Sequence, residues 1–171
     1  MTRFGLGRNG AWSALAAGVA TLGVLETAVL HFLARAYLPA AAAVTVDTVA
    51  VAVTLLAILA FASPLWGSFR LDSTALRLRF GWLASVRIPL PDIDTIRPAT
   101  AGLRHPVTLG LDYDQRSGLL SVVRSPSSPL VRIELTTPIR ARTQGWKHVR
   151  VRTVLATIDD PDLLRQCVSG A

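Results

Sequence analysis

The chain has 171 residues, of which 51% are hydrophobic, and it carries a formal net charge of +7. A water-soluble domain of this length is rarely so apolar, so the composition indicates that part of the chain lies in lipid. The single cysteine, Cys167, excludes an internal disulfide and is typical of a protein in a reducing compartment.

Two apolar segments at the start of the chain predict a pair of transmembrane helices. They cover about residues 11–33 and 40–61, and each exceeds the roughly 20 residues that a helix needs to cross the hydrocarbon core. The short stretch ARAYLPA between them allows only a tight turn, so residues 1–66 are expected to form a transmembrane hairpin. Trp12 and Trp66, at its outer ends, are expected to act as interfacial anchors.

Positive charge near the ends of the spans predicts their orientation. Arg3, Arg8 and the arginines from Arg70 onward flank the outer ends of the hairpin, whereas Arg35 alone lies in the turn. The positive-inside rule then makes this a multi-pass protein of the cytoplasmic membrane with both termini in the cytoplasm. In an alternative interpretation the first segment is a signal peptide cleaved near residues 34–36, and the C-terminal part again stays cytoplasmic.

Three ionisable residues interrupt the spans: Glu26, His31 and Asp47. If the chain folds back near Leu38, the two carboxylates differ in depth by only about 5 Å. A carboxylate in lipid is costly, so both are expected to face protein and to be paired or protonated. The favoured interpretation is a structural polar cluster or a contact with another subunit. A proton relay or a metal site is the alternative, although the metal-ligand spacing is missing.

The second half of the chain, residues 67–171, has the pattern of a small β-domain. Eight short alternating runs are separated by turn residues about every ten positions: GSFRLD, ALRLRF, SVRIPL, IDTIRP, VTLGLDY, GLLSVVR, LVRIELT and HVRVRTVLATI. This spacing is typical of an antiparallel sandwich or barrel. The predicted fold class is therefore α+β, a membrane hairpin followed by a cytoplasmic β-domain.

A helix is predicted at the C-terminal end, in IDDPDLLRQCV. Asp159 or Asp160 is suited to the N-cap position and the following proline to the first helical position. Leu163, Leu164 and Cys167 are expected on the one face that packs against the β-domain.

The segments STALRLRFG and RIPLPDIDTIRP, together with the stretch from VRIELTTP to DDPDLLRQCV, resemble the bacterial pleckstrin-homology-like (PH-like) domain family. The resemblance covers roughly residues 67–168. It implies a seven-stranded, strongly bent barrel whose open end is plugged by the C-terminal helix. Eukaryotic relatives of this fold bind phosphoinositides through a basic residue in the first strand and an R-x-R pair in the second, and Arg70, Arg77 and Arg79 resemble that arrangement.

Basic side chains on alternating strands are the candidate binding residues of the β-domain. They are Arg70, Arg77, Arg79, Arg140, Arg142, Lys147, Arg150 and Arg152. A basic domain held at the cytoplasmic leaflet meets anionic lipid, where each nearby cation contributes about 1 kcal/mol. Specific headgroup binding, loose leaflet attraction and plain solvated faces all remain open. Nucleic acid is not expected as a partner, because aromatic interleaving and a recognition helix are missing.

No motif in the sequence predicts catalysis, a metal site or a cofactor. His105 and His148 lack a partnered nucleophile at a recognisable spacing. The sequence therefore favours a non-catalytic membrane-anchored interaction module, which binds anionic lipid, an unknown membrane protein or a second copy of itself. The alternative is an accessory subunit of a transport or proton-handling complex that works through Glu26, Asp47 and His31.

Overall fold

The computed structural model describes residues 2–100 and 108–169, which form an α+β arrangement of helices and strands. The helices are α1 (Gly10–Tyr37), α2 (Ala40–Ala62) and α3 (Pro161–Ser169). The strands are β1 (Thr2–Gly5), β2 (Ser68–Leu71), β3 (Ala75–Phe80), β4 (Ala84–Pro89), β5 (Ile93–Ala99), β6 (Gly110–Asp114), β7 (Leu119–Val123), β8 (Leu130–Thr143) and β9 (Lys147–Thr157). Short 3₁₀ turns follow α2 at Ser63–Trp66 and precede β5 at Leu90–Asp92.

The chain divides into two compact units. The hairpin unit is Ser13–Ala62, and the sheet unit combines Met1–Trp12 with Ser63–Ala171. The first residues, which the sequence analysis assigned to the hairpin, belong to the sheet because β1 pairs with β2, from Thr2 opposite Leu71 to Gly5 opposite Ser68.

The hairpin unit consists of α1 and α2, which are long and apolar enough to cross a membrane. They have 28 and 23 residues, and the segments predicted from the sequence, residues 11–33 and 40–61, lie inside them. Most of their large apolar side chains are exposed, Phe32 at 72% and Leu56 at 62% among them. Such a surface is suited to lipid and poorly suited to water.

The sheet unit is built on an open, mixed sheet of nine strands within the described residues, in the order β1-β2-β3-β4-β8-β9-β7-β6, with β5 paired to β8 outside this path. Each of the eight predicted runs overlaps one of the strands β2 to β9 within the described residues. The antiparallel prediction is wrong at one place, because β7 runs parallel to β9. The added strand β1 and the open order also depart from the seven-stranded barrel that the resemblance implies.

Alternation along the strands builds one apolar core. In β3 the side chains of Leu76, Leu78 and Phe80 are buried while the two arginines between them are exposed. Trp12 packs edge-on against Phe80, with ring centroids 5.2 Å apart, and is only 4% exposed. The prediction that Trp12 is an interfacial anchor is therefore wrong, because its ring is part of the core of the sheet unit.

Helix α3 begins as its sequence predicts. The carboxylate of Asp160 accepts a hydrogen bond from the Leu163 backbone N–H at 2.9 Å, so Asp160 is the N-cap. Leu164 is fully buried and Cys167 packs partly buried against the core. Leu163 is 45% exposed, which corrects its predicted place on the packed face: neighbouring helical positions are about 100° apart, and only a narrow stripe of this helix meets the sheet.

Candidate functional site

Arginines form a continuous row across the exposed face of the sheet. The strand register sets Arg70 directly opposite Arg3 on one side and Arg77 on the other, and Arg77 opposite Arg87. The β4–β8 register ends with Val86 opposite Ala141, and continuing it by one residue sets Arg87 beside Arg140, which in turn pairs with Arg150. We call this the arginine row: Arg3, Arg70, Arg77, Arg87, Arg140 and Arg150, all of them exposed.

A second set of polar residues runs parallel to the arginine row, two residues closer to the β3–β4 and β8–β9 turns. Arg79 lies opposite Ser68 and Ser85, and Ser85 lies opposite Arg142. Arg142 pairs with His148 on β9. This second row therefore adds Arg79 and Arg142 to the same exposed face.

The arginine row carries little compensating negative charge. Directly opposed side chains on neighbouring strands have Cβ atoms about 4.5–5.5 Å apart, and like charges there destabilise the sheet. Within the described residues, Arg77 has an acidic partner, the carboxylate of Asp72 at 3.1 Å, and the other members of the row form no ion pair. An anionic surface or ligand would relieve this repulsion.

Three exposed tryptophans lie at the end of the sheet where the chain arrives from α2. Trp66 is 67% exposed, and Trp82 and Trp146 occupy the β3–β4 and β8–β9 turns at 48% and 79% exposure. The Trp82 backbone N–H donates to Ser63 Oγ at 3.0 Å, and the Gly145 N–H donates to the Leu83 carbonyl at 3.2 Å. These bonds hold the two turns and the segment 63–66 together as one end, which we call the tryptophan end.

The turn between β3 and β4 depends on a glycine for this contact. Gly81 has a φ of +56°, which L-residues with side chains rarely adopt. A Cβ atom at this position would lie 2.3 Å from Ser63 Oγ and 2.6 Å from the Pro64 nitrogen. The tryptophan end could not pack as it does with any larger residue at position 81.

Arg124 is buried beneath the two segments that join the sheet unit to the helices. Its Nη1 donates to the Leu65 carbonyl at 3.3 Å and its Nη2 donates to the Gly7 carbonyl. The side chain is 5% exposed, and its Nε has no partner within the described residues. Burial lowers the pKa of Arg124, and the nearby charge of Asp159 partly offsets this.

The hairpin unit brings together two of the three residues that were predicted to form an intramembrane polar cluster. His31 Nδ1 lies 2.9 Å from Asp47 Oδ2, and one turn away Thr27 Oγ1 lies 2.7 Å from Thr54 Oγ1. Glu26 is exposed outside this pair and has no hydrogen bond or ion pair within the described part of the chain.

The remaining predicted cations, Lys147 and Arg152, lie on β9 with Arg150 and line an open cavity. Arg3 and Arg87 were not among the predicted binding residues. Strand β1 has only four residues and no apolar run, and the strand register that aligns Arg87 with the others cannot be read from alternation. Trp82 and Trp146 were not among the predicted site residues. His105 lies outside the described residues.

Residues 2–100 and 108–169 contain no group of three or more His, Cys, Asp or Glu side chains that could hold a metal ion. Comparison of the chain with protein-family models, curated proteins and solved structures found no match.

Proposed function

We propose that this protein is a non-catalytic interaction module, anchored in the cytoplasmic membrane by α1 and α2, whose sheet unit binds anionic lipid at the inner leaflet. The observation that carries the proposal is the arginine row with the second row beside it. A face on which arginines oppose arginines across six strands is built at a cost, and an anionic partner offsets that cost. Lipid headgroups at the cytoplasmic leaflet supply negative charge at high density.

The tryptophan end supports a lipid surface as that partner. Indole rings are favoured at the boundary between headgroups and hydrocarbon, and Trp66 ends the 3₁₀ turn that follows α2. Arg79 and Arg142 lie within three residues of the two turns that carry the other tryptophans. Along its strand, each arginine is therefore about 7–10 Å or less from its turn. Attraction to a charged leaflet extends about one Debye length, 8–10 Å, so these arginines would be within reach of a leaflet that the tryptophans contact.

The pairing of β1 with β2 supports the proposed topology. One strand precedes α1 and the other follows α2, and they are hydrogen-bonded along their length. This pairing supports a topology in which both outer ends of the hairpin lie on one side of the membrane. The positive charge at those ends favours the cytoplasmic side, with both termini inside.

We further propose that the sheet unit is a divergent PH-like domain. The strands β2 to β9 with the following helix α3 support this relationship, and the parallel pairing of β7 and β9 is its main departure. Protein partners, including a second copy of the chain, are compatible with the same exposed face.

The test uses the full-length protein reconstituted in nanodiscs with brominated lipids, which quench nearby tryptophans. Brominated phosphatidylglycerol is expected to quench the exposed tryptophans more strongly than brominated phosphatidylcholine, and salt is expected to reduce the difference. Arg79→Gln with Arg142→Gln is expected to abolish at least half of that preference.

The matched control is Arg97→Gln with Arg132→Gln. This pair removes the same charge from directly opposed exposed residues of β5 and β8, about ten residues from the β8–β9 turn. It is expected to leave the preference for anionic lipid unchanged. Equal quenching by both lipids in the unmodified protein would reject the leaflet proposal, and equal effects of the two double variants would reject the assigned face.

The His31–Asp47 pair supports a second candidate, an accessory subunit of a transport or proton-handling complex. A carboxylate and an imidazole 2.9 Å apart between apolar helices can exchange a proton, and a groove of about 430 Å³ lies beside them. The test is proton flux into vesicles that contain the protein with the membrane proteins that co-purify with it. Asp47→Asn is expected to abolish flux and Glu26→Gln, outside the pair, to preserve it. The same flux in both variants would exclude this role.

A further inference from the structure

An open cavity of about 530 Å³ lies on the sheet unit, between the β6–β7 turn and the exposed face of β9. Its basic lining residues are Arg116, Lys147, His148, Arg150 and Arg152. We propose that this cavity binds a small molecule or lipid headgroup that carries two phosphate groups. The site goes beyond general attraction to the leaflet, because it is concave and local, and neither Arg79 nor Arg142 lines it.

The cavity exists because β8 leaves β9 over a short stretch. Glu134 pairs with Thr153 and Ile139 pairs with Val151, so four residues of β8, 135–138, stand opposite the single residue Arg152. The β8 backbone bulges away there, and Pro138, which has no N–H to offer a neighbouring strand, lines the opening. Bulges of this kind commonly occur next to binding sites, where they redirect side chains.

The other wall of the cavity is fixed by hydrogen bonds. The Gly118 carbonyl accepts the backbone N–H groups of Arg152 at 2.9 Å and Thr153 at 3.3 Å. Tyr113 Oη donates to the Arg150 carbonyl at 2.7 Å. The β6–β7 turn is therefore held against β9 without a ligand, which reduces the entropy that binding would have to overcome.

The carboxylate of Asp114, which precedes the lining residues 115–118 in the chain, is already engaged inside the β6–β7 turn. Asp114 Oδ2 accepts a hydrogen bond from the Ser117 hydroxyl at 2.7 Å, and Oδ1 accepts one from the Arg116 backbone N–H at 2.9 Å. The pKa of Asp114 is lowered by these two hydrogen bonds, the one from Ser117 first. This carboxylate organises the turn and does not line the cavity.

The lining carries strong positive charge and no acid. Arg116, Lys147, Arg150 and Arg152 together give a formal charge of +4 with His148 neutral, and none of the four forms an ion pair within the described residues. One guanidinium group can donate two parallel, charge-assisted hydrogen bonds to two oxygens of a phosphate. A phosphorylated ligand is the chemistry that this lining fits best.

The spread of the cations favours two phosphates over one. Arg116 and Arg152 lie at one end of the cavity and Lys147 at the other, five residues along β9, or roughly 17 Å between backbones. Arg150 lies between them. A ligand with two phosphates can contact both ends at once, whereas a single phosphate leaves one end unpaired. The volume of the cavity is also in the range of small-ligand sites, about 300–1,000 Å³.

The test measures binding to the full-length protein in an uncharged detergent by titration calorimetry. The soluble probe is fructose 1,6-bisphosphate, with fructose 6-phosphate as its monophosphate match. The lipid probe is cardiolipin, whose headgroup has two phosphates, with phosphatidylglycerol as its match. At least one bisphosphate is expected to bind tenfold or more tightly than its match. The probe that binds identifies the source of the ligand, soluble or lipid.

Two variants make the outcome decisive. Arg116→Gln with Arg152→Gln is expected to weaken bisphosphate binding tenfold or more, and the single variant Arg116→Gln, in an exposed turn, threefold or more. Arg79→Gln with Arg142→Gln is expected to change it less than threefold, although it weakens leaflet attraction. Failure of both bisphosphates to bind better than their matches, or unchanged binding in the Arg116 variants, would overturn the proposal and leave the leaflet proposal standing.

Discussion

The buried guanidinium of Arg124 holds together two segments that are far apart in the sequence. Its guanidinium joins the carbonyls of Gly7 and Leu65, one before α1 and one after α2. Its backbone N–H donates to Thr157 Oγ1 at 3.1 Å, and that hydroxyl donates to the Leu6 carbonyl at 2.7 Å. Burying this charge is costly because it loses its hydration. The hydrogen bonds that it donates to the two carbonyls offset part of that cost.

We predict that Arg124→Met destabilises the sheet unit. The variant removes the buried charge but leaves two carbonyls without their donor, and an unsatisfied buried polar group costs about 1–3 kcal/mol. At roughly 2–4 °C per kcal/mol for a chain of this size, the melting temperature should fall by several degrees. Near-ultraviolet circular dichroism of the full chain in detergent measures this change.

Arg132→Met, at an exposed arginine, serves as the control and is expected to shift the melting temperature by less than one degree. An equal shift in both variants would contradict the role of Arg124.

Two aspartates predict how stability depends on pH. The pKa of Asp72 is lowered from its ordinary value of 3.8, first by the backbone N–H groups of Thr74 and Ala75, and that of Asp114 by its bonds within the β6–β7 turn. A folded pKa below the unfolded one means that the unfolded state binds more protons as the pH falls. Their stabilising contribution is therefore full above about pH 4 and is lost as the pH falls through the folded pKa values.

Asp72→Asn with Asp114→Asn is expected to flatten the fall in melting temperature between about pH 5 and pH 2. Asp94→Asn is the control, because Asp94 is an exposed residue of β5 without a hydrogen bond in the described part of the chain. The measurement is the melting temperature as a function of pH. A fall of equal steepness in the double variant and the unmodified protein would show that the two turns do not cause it.

At the scale of elements, alternation and hydropathy predicted the helices and the eight strands from β2 to β9. These signals are local: one face of a strand is buried, and a membrane-length helix is apolar throughout. Strand β1 escaped because its four residues hold a single buried side chain, Phe4, which is too little for a periodic signal. Its assignment requires the pairing with β2, more than sixty residues later in the chain.

The parallel contact between β7 and β9 could not be predicted for a similar reason. Alternation reports which side of a strand is buried, but not which strand lies beside it or in which direction. Here β8 separates the two in sequence and pairs antiparallel with β9, and β7 then takes the other edge of β9. The β8 bulge that opens the basic cavity likewise depends on this register.

For the molecule as a whole, the sequence identified most of the basic residues but not their arrangement. Arg77 and Arg79 were expected on one face of β3, because residues two apart in a strand share a side. That Arg77 lies between Arg70 and Arg87 in one row follows from the register of three strands. The grouping of exposed tryptophans likewise depends on contacts between turns that are far apart in sequence.

The pairing of β1 with β2 has a consequence for biosynthesis. Strand β1 is made before either helix, whereas its partner is made only after both, so β1 stays unpaired until α1 and α2 have been synthesised. Closing so long a loop is entropically costly for a flexible chain. Once the hairpin has formed, its two outer ends are neighbours, and the strands need to search only a short distance. If α1 and α2 insert into a membrane as proposed above, formation of the hairpin there would speed the pairing of β1 with β2.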